Sequence, residues 1–130
     1  FFDTVSLIGW ILAGFSILVG GFGIANIMFV TVKERTSIIG VQKALGAPNY
    51  HILTQFLGES VMLCVMGGAV GIGFISLLVL ILNNVISFTI YVTAANILNG
   101  LLLSSLIGII AGFIPARRAA RLDPIIAIRS

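Results

Sequence analysis

Few side chains in this sequence could carry out acid–base, nucleophilic or metal chemistry, and they lie far apart. His51 is the only histidine, Cys64 is the only cysteine, and Glu59 is the only acid inside a long apolar stretch. A metal site needs several such ligands at close spacing, and a nucleophile needs a neighbouring base. Because neither pattern occurs, we expect no catalytic residue, no metal site, and a chain that is not an enzyme by itself.

The sequence also lacks a motif for binding a nucleotide. It contains no G-x-x-x-x-G-K-[ST] phosphate loop. The run GIGFIS, Gly71 to Ser76, matches part of a dinucleotide fingerprint, but it lies within an apolar stretch and has no β-α-β context. We interpret its glycines as helix-packing residues and expect no cofactor bound by this chain.

Glu59 is the one ionisable residue whose position calls for a functional interpretation. An acid at membrane depth is by default a functional-site hypothesis. Glu59 follows the basic connection closely enough for a partner among Lys43, Arg35 or a C-terminal arginine, which is the main interpretation. A proton relay is the alternative, although the sequence offers no second embedded acid or histidine to complete it.

The composition of the chain indicates what kind of helices hold these residues in place. The 130 residues are 59% hydrophobic and 8% charged, with a mean hydropathy of +1.22. Soluble domains carry about 25% charged residues, so an ordinary water-soluble domain is excluded and a membrane protein is indicated. The net charge of +3 does not indicate nucleic acid, because the basic residues flank apolar stretches.

Three apolar stretches are predicted to be membrane-spanning helices, at about residues 5–32, 52–82 and 97–114. A span needs about 20 residues, so the first two should tilt or extend past the hydrocarbon, whereas the third is barely long enough. Pro115 is expected to weaken or end the third helix. Asp123 and Pro124 then have the types of an N-cap and a first residue, which predicts a short final helix to about Arg129.

The basic residues give the predicted orientation. Three lie between the first two spans and four follow the third: Lys33, Arg35, Lys43, Arg117, Arg118, Arg121 and Arg129. By the positive-inside rule, residues 33–51 and the tail 115–130 are cytoplasmic, while the N-terminus and loop 83–96 are outside. We expect Arg117, Arg118 and Arg121 to be inner-face anchors that meet anionic membrane lipid.

The outer loop 83–96 shows an alternating pattern. Ile86, Phe88, Ile90 and Val92 alternate with polar or aromatic neighbours, a period of two that is typical of extended backbone. The loop is predicted to lie extended on the outer membrane surface. A strand that pairs with a segment outside this chain is the alternative.

Small residues recur along the third span at every fourth position, namely Gly100, Ser104, Gly108, Gly112 and Ala116. Such ladders let helix backbones approach closely in lipid. The second span offers Gly67 and Gly71 for the same contacts, with Gly68 and Gly73 beside them, and the first span offers Gly9, Ala13, Gly21 and Ala25. We therefore predict a tightly packed bundle without a pore.

The segment KERTSIIGVQKALGA, Lys33 to Ala47, interrupts the apolar chain with charge. Ile38, Val41 and Leu45 fall at i, i+3 and i+7, which predicts a short amphipathic helix over about residues 34–46 at the membrane interface. A loop resting on lipid is the alternative. Gly46 suits the C′ position of that helix, and Pro48 suits the first turn of the next. The predicted fold class is thus an all-α integral membrane protein with three spans and one short amphipathic helix.

This segment, followed by FLGESVMLCVMGGAVGIG and GIIAGFIPARRAARLDPIIAIR, resembles the permease domain of FtsX/MacB-type ABC transporters. The resemblance runs from about Gly20 to the end, so residues 1–130 are interpreted as a single FtsX-like permease domain. Permeases of that family have one span, a large extracytoplasmic domain and three more spans. This chain looks like the last three, and its ERT…KALGA and PARRAARLDPIIAIR motifs look closest to the macrolide-exporter type.

The resemblance implies a coupling helix that docks onto a cytoplasmic ABC ATPase, either a separate subunit or a fused domain. ATP and Mg²⁺ would be bound by that ATPase, not by this chain. ATP hydrolysis by the ATPase would move the spans as levers. The conformational work outside the membrane would then drive export of antibiotics, toxins or peptides. The implied ATPase contacts are Glu34, Arg35, Ile38, Ile39, Gly40, Lys43, Ala44, Leu45 and Gly46.

The resemblance also implies further partners and a location. The partners are a second permease copy forming a dimer and a periplasmic adaptor or outer-membrane component, with no nucleic acid. The location is the bacterial cell inner (plasma) membrane. A lipoprotein-releasing or cell-division permease of the same family is an alternative, as are a membrane scaffold without an ATPase and a proton-coupled carrier.

The coupling segment departs from the family pattern at two positions. Ile38 stands where the family usually has an acid before Ile-Gly, and Gln42 stands at an often basic position. We therefore expect an unusually apolar ATPase contact, in which Ile38 and Ile39 matter more than the charges of Glu34, Arg35 and Lys43.

Overall fold

The computed structural model describes residues 1–86 and 89–129. Its helices in chain order are α1 (Phe2–Glu34), α2 (Thr36–Ala44), α3 (Asn49–Val85), α4 (Ala94–Ala120) and α5 (Pro124–Arg129). By length and composition, α1, α3 and α4 could each cross a membrane. The all-α membrane fold with three long apolar helices and a short extra helix is therefore confirmed.

The closest helix contact is between α3 and α4, where Gly108 and Gly112 are buried. A Cβ atom on Gly108 would lie 2.9 Å from Val61 Cα, and one on Gly112 would meet the Ser60 hydroxyl. That hydroxyl donates hydrogen bonds to the carbonyl oxygens of Gly108 (3.0 Å) and Leu57 (2.8 Å). The small residues of α4 thus permit backbone contact and an interhelical hydrogen bond, as small-residue ladders do in lipid.

The prediction that Gly67 and Gly71 take part in this contact is wrong. A Cβ on either would have nothing within 4 Å, whereas one on Gly68 would lie 2.5 Å from Ser104 Oγ. Each helical residue turns about 100° from its neighbour, so the contacting face runs through Gly68 and excludes the glycine beside it. Gly67 instead lines a gap of about 330 Å³ between α1 and the α3–α4 pair.

The expectation that Pro115 would end the third helix is wrong. α4 continues through Pro115 to Ala120. Proline removes one backbone donor and crowds the preceding turn, but Pro115 is buried together with Ala116 and Ala119. Packing of this turn against other helices holds the helix together, as neighbouring helices allow in membrane bundles. Arg117 and Arg118 therefore lie on the last turn of α4 and not in an irregular tail.

The hydrophobic core lies at one end of the bundle, where the basic residues are located. It draws side chains from four helices: Met28, Val32, Ile39, Ile52, Phe56, Ala116, Ala119 and Ala120. We call this the basic end. Because α2 supplies Ile39 to the core, the short helix is packed against the basic end of the bundle.

The first half of α1 contrasts with this core. Residues 2–20 are all exposed within the chain. Beyond them α1 meets α4, since a Cβ on Gly21 would lie 3.9 Å from Ile107, an ordinary van der Waals distance. The predicted tight packing thus holds for α3 with α4 and for the basic end, but not for the start of α1.

At the opposite end, Asn83 organises the connection between α3 and α4. Its side-chain Nδ2 donates to the Ile90 carbonyl, and its Oδ1 accepts from the Ile90 N–H, both at 2.9 Å. Part of the predicted alternation falls on Phe88, which lies outside the described residues together with Ser87. Residues 89–93 form neither helix nor strand, so a strand paired with an outside segment stays a prediction.

Candidate functional site

The short helix α2 follows α1 almost without interruption. Arg35 alone separates them, with φ −95° and ψ 10°. At the other end Gly46 has φ +97°, a conformation that costs glycine little. The N–H groups of Gly46 and Ala47 donate to the carbonyls of Lys43 and Gln42, both at 3.0 Å. This is a Schellman motif with glycine at C′, as the sequence predicted.

Pro48 lies one position earlier than predicted. It is the N-cap of α3, with extended backbone, and not part of the first helical turn. Its missing N–H costs nothing there, since the first turn of a helix has no acceptors for such groups. The chain from Gly46 to Pro48 therefore ends α2 and starts α3 within three residues.

One face of α2 is held against the bundle and α5. Ile39 is 1% exposed, and a Cβ on Gly40 would lie 2.8 Å from Ala127 Cβ and 3.0 Å from Ile128 N. Lys43 Nζ donates to the Leu122 carbonyl at 2.7 Å. These contacts join α2 to α5 as well as to the core.

α5 is positioned by its own start. The Asp123 carboxylate accepts a hydrogen bond from the Ile125 N–H at 2.9 Å, and Pro124 is the first helical residue. Both roles match the prediction from residue types. Ala127, a small residue, then allows the close approach to Gly40.

The other face of α2 and the adjoining α5 carry apolar side chains that are exposed. They are Ile38, Val41 and Leu45 on α2 and Ile125, Ile126 and Ile128 on α5. We call this surface the α2–α5 platform. The predicted apolar stripe of α2 is therefore the uncovered side of the helix.

The predicted contact residues divide between the two faces. The prediction that Ile39 and Gly40 contact the ATPase is wrong. Both residues are buried within the chain and so cannot lie on a partner surface. Lys43 is half-buried and its ammonium is engaged by Leu122. The exposed members are Glu34, Arg35, Ile38, Ala44, Leu45 and Gly46. A glycine inside a helix lowers helix stability by about 1 kcal/mol relative to alanine. The presence of Gly40 in so short a helix was therefore the sequence signal that another backbone approaches closely at this position.

Glu59 pairs with one of its three predicted partners. Its Oε2 lies 3.3 Å from Arg35 Nη1, and both side chains are partly exposed. Such a pair contributes about 0–1 kcal/mol. Its geometric effect is to tie the junction of α1 and α2 to α3.

The arginines at the end of α4 are exposed, as predicted for Arg117, Arg118 and Arg121. The Arg118 guanidinium lies over the Phe29 ring of α1, with its carbon 5.0 Å from the ring centroid. This cation–π contact keeps a positive charge beside the α1–α4 interface.

The two other candidate chemical residues lie apart from this surface and from each other. Cys64 is buried on α3, on the face that meets Gly108 of α4. His51 is exposed in the first turn of α3. Within residues 1–86 and 89–129, no three histidine, cysteine or acidic side chains come close enough to hold a metal ion.

Comparison with known proteins assigns the chain to a family. The model of the FtsX-like permease C-terminal family matches residues 10–124. The ABC transporter permease YknZ of Bacillus subtilis is 48% identical over 118 residues, which cover 91% of this chain and 30% of YknZ.

Two export proteins are similarly close. Macrolide export ATP-binding/permease protein MacB 2 of Yersinia pestis is 45% identical over 128 residues, 97% of this chain and 19% of that protein. Pyoverdine export ATP-binding/permease protein PvdT of Pseudomonas fluorescens is 46% identical over 131 residues, 98% of this chain and 19% of that protein. The chain thus spans less than a third of the length of these relatives, and it belongs to the FtsX-like permease family.

Proposed function

We propose that this chain is the membrane-spanning part of an ABC exporter and that its α2–α5 platform docks onto a cytoplasmic ATPase. The observation that carries the proposal is the division of α2 into two apolar faces. Ile38 is 58% exposed, whereas its neighbour Ile39 is 1% exposed. Exposed apolar side chains grouped outside a protein's core mark an interaction site, and these lie on a helix that is held against the bundle by its other face.

The contacts that hold α2 determine which helices move when a docked ATPase displaces it. Ile39 joins the core, Lys43 binds the start of α5, and Arg35 pairs with Glu59 on α3. A displacement of α2 by an ATPase must therefore displace the basic ends of the long helices with it. Close-packed interfaces respond to such a push by rigid-body movement, which supports a mechanical role for this bundle.

Charge supports the orientation that docking requires. All seven basic residues lie at one end of the helices: Lys33 in the last turn of α1, two between α1 and α3, and four in or after the last turn of α4. The positive-inside rule places that end in the cytoplasm, where an ATPase would meet the platform. The loop between α3 and α4 would then face the outside of a bacterial inner membrane.

The relatives support export as the wider activity. MacB 2 and PvdT are named as export proteins with ATP-binding and permease parts, so the ATP and Mg²⁺ of the present system would be bound by an ATPase domain or subunit. The exported substrate would be an antibiotic, a toxin or a peptide. A second permease copy and a periplasmic adaptor would complete the assembly.

A matched pair of substitutions tests the docking surface. Ile38→Ala removes an exposed isoleucine from the platform, and Ile75→Ala removes a 56% exposed isoleucine from α3. Since interface anchors contribute about 1–2 kcal/mol or more, Ile38→Ala should weaken co-purification with the ATP-binding subunit about tenfold, or lower ATP hydrolysis if the ATPase is fused. Ile75→Ala should leave both unchanged. Equal binding by the two variants would contradict docking through the platform.

The same purified protein also distinguishes the exporter hypothesis from the hypothesis of a membrane scaffold. An exporter should retain its ATPase in mild detergent and stimulate its hydrolysis in proteoliposomes. A wild-type protein that neither retains nor stimulates an ATPase would support the scaffold.

A further inference from the structure

An apolar groove runs along the outside of the bundle between α1 and α4. It has a volume of about 480 Å³, and its lining includes Leu18, Phe22 and Phe29 of α1 and Ile107, Ala111 and Ile114 of α4. The groove follows the line of contact between α1 and α4, since a Cβ on Gly21 would be 3.9 Å from Ile107, an ordinary van der Waals distance.

The length of the groove matches one leaflet of a membrane. From Leu18 to Phe29 the helix rises about 16 Å, at about 1.5 Å per residue. Half of a hydrocarbon core about 30 Å thick is about 15 Å. The groove therefore reaches from the basic end to about the middle of the bilayer, which is the depth that a lipid acyl chain occupies.

The mouth of the groove carries positive charge. Arg118 lies one helical turn after Ile114, and its guanidinium is held 5.0 Å from the Phe29 centroid. Lys33 lies one turn after Phe29 on α1 and is exposed. A guanidinium placed over a ring keeps its N–H groups available at its edges, where they can donate to a phosphate.

We propose that this groove binds an anionic glycerophospholipid of the leaflet at the basic end. One acyl chain lies between α1 and α4, and the phosphate lies at Arg118 and Lys33. The one-leaflet length suits an acyl chain, and the positive charge at the mouth selects an anionic lipid over a neutral one. The site is independent of the ATPase, because none of its residues belongs to the α2–α5 platform.

Brominated lipids test the site through tryptophan fluorescence. Trp10 is the only tryptophan, so Trp10→Phe with Phe22→Trp places a single reporter in the groove. Trp10→Phe with Met62→Trp places one on the exposed surface of α3, at a similar distance from the basic end. The full chain is reconstituted in phosphatidylcholine vesicles that contain brominated phosphatidylglycerol or brominated phosphatidylcholine.

We expect the groove reporter to be quenched at least threefold more effectively by the brominated anionic lipid, and the α3 reporter to show no preference. Arg118→Gln should abolish the preference, whereas Arg129→Gln, with the same loss of charge, should retain it. Equal preference at both reporters would show only general lipid contact and overturn the proposal. So would an unchanged preference in Arg118→Gln, or a groove reporter that neither lipid quenches because another helix covers it.

Discussion

The α3–α4 pair and the first half of α1 have similar compositions but different surroundings. Both are apolar helices with several glycines, yet a Cβ on Gly108 would lie 2.9 Å from Val61 Cα, whereas Gly9 and Gly14 have nothing within 4 Å. Glycine content therefore does not determine close packing in this chain. What determines it is whether a small residue falls opposite a partner's backbone, and that depends on register.

The contrast continues within α1 itself. Its last third contributes Met28 and Val32 to the core, while residues 2–20 remain exposed. The basic end is thus the region in which the three long helices and α2 share a core, and the start of α1 lies outside it.

Substitutions of two phenylalanines on α3 should give the largest difference in stability between a core position and an exposed one. Phe56 is buried in the basic-end core, and Phe74 is exposed on the same helix. Removing a buried phenylalanine costs about 3–5 kcal/mol, since it leaves a cavity. We expect Phe56→Ala to lower the melting temperature in detergent strongly and Phe74→Ala to change it little. Similar melting temperatures for the two variants would show that the core does not hold the bundle together.

Substitution of a packed glycine and of an unpacked glycine should give a smaller difference in stability. Gly108→Ala places a Cβ against the α3 backbone, and overpacking of this kind costs about 1–3 kcal/mol. Gly14→Ala places the same group on α1, where nothing lies within 4 Å. Unfolding measured in mixed micelles should show a loss of stability for the first and not for the second. Equal losses would mean that α1 is packed as closely as α4.

The Arg35–Glu59 ion pair should give the smallest effect. Because both side chains are partly exposed, Glu59→Gln should lower the free energy of unfolding by about 0–1 kcal/mol. Arg35→Gln should have the same effect, and the double substitution should add nothing further. Transport activity that fell sharply in Glu59→Gln, with stability unchanged, would instead support the proton relay considered from the sequence.

Much of this arrangement follows from the sequence because local chemistry dictates it. Apolar length predicts the three long helices, Gly46 supplies the positive φ that ends α2, and Asp123 with Pro124 starts α5. Each of these depends on residues adjacent in the chain. The sequence predicted such features with nearly correct positions.

The incorrect predictions share a dependence on contacts between distant residues. Pro115 remains inside α4 because its turn is buried, and Gly68, not Gly67, meets α4 because of the rotation of α3. The choice between Ile38 and Ile39 as the exposed residue depends on which side of α2 faces the core. Periodicity identified a stripe on α2, but only the fold shows which side is covered.

The adjacent isoleucines of α2 provide the most direct test of the central claim, that α2 docks with one face while the other is held in the bundle. ATPase binding and melting temperature should be measured together for Ile38→Ala and Ile39→Ala. We predict that Ile38→Ala weakens binding and leaves the melting temperature unchanged. Ile39→Ala should lower the melting temperature, by an amount corresponding to about 2–5 kcal/mol, and retain binding below that temperature. The reverse pattern, with Ile39→Ala losing binding at full stability and Ile38→Ala losing stability, would contradict the account.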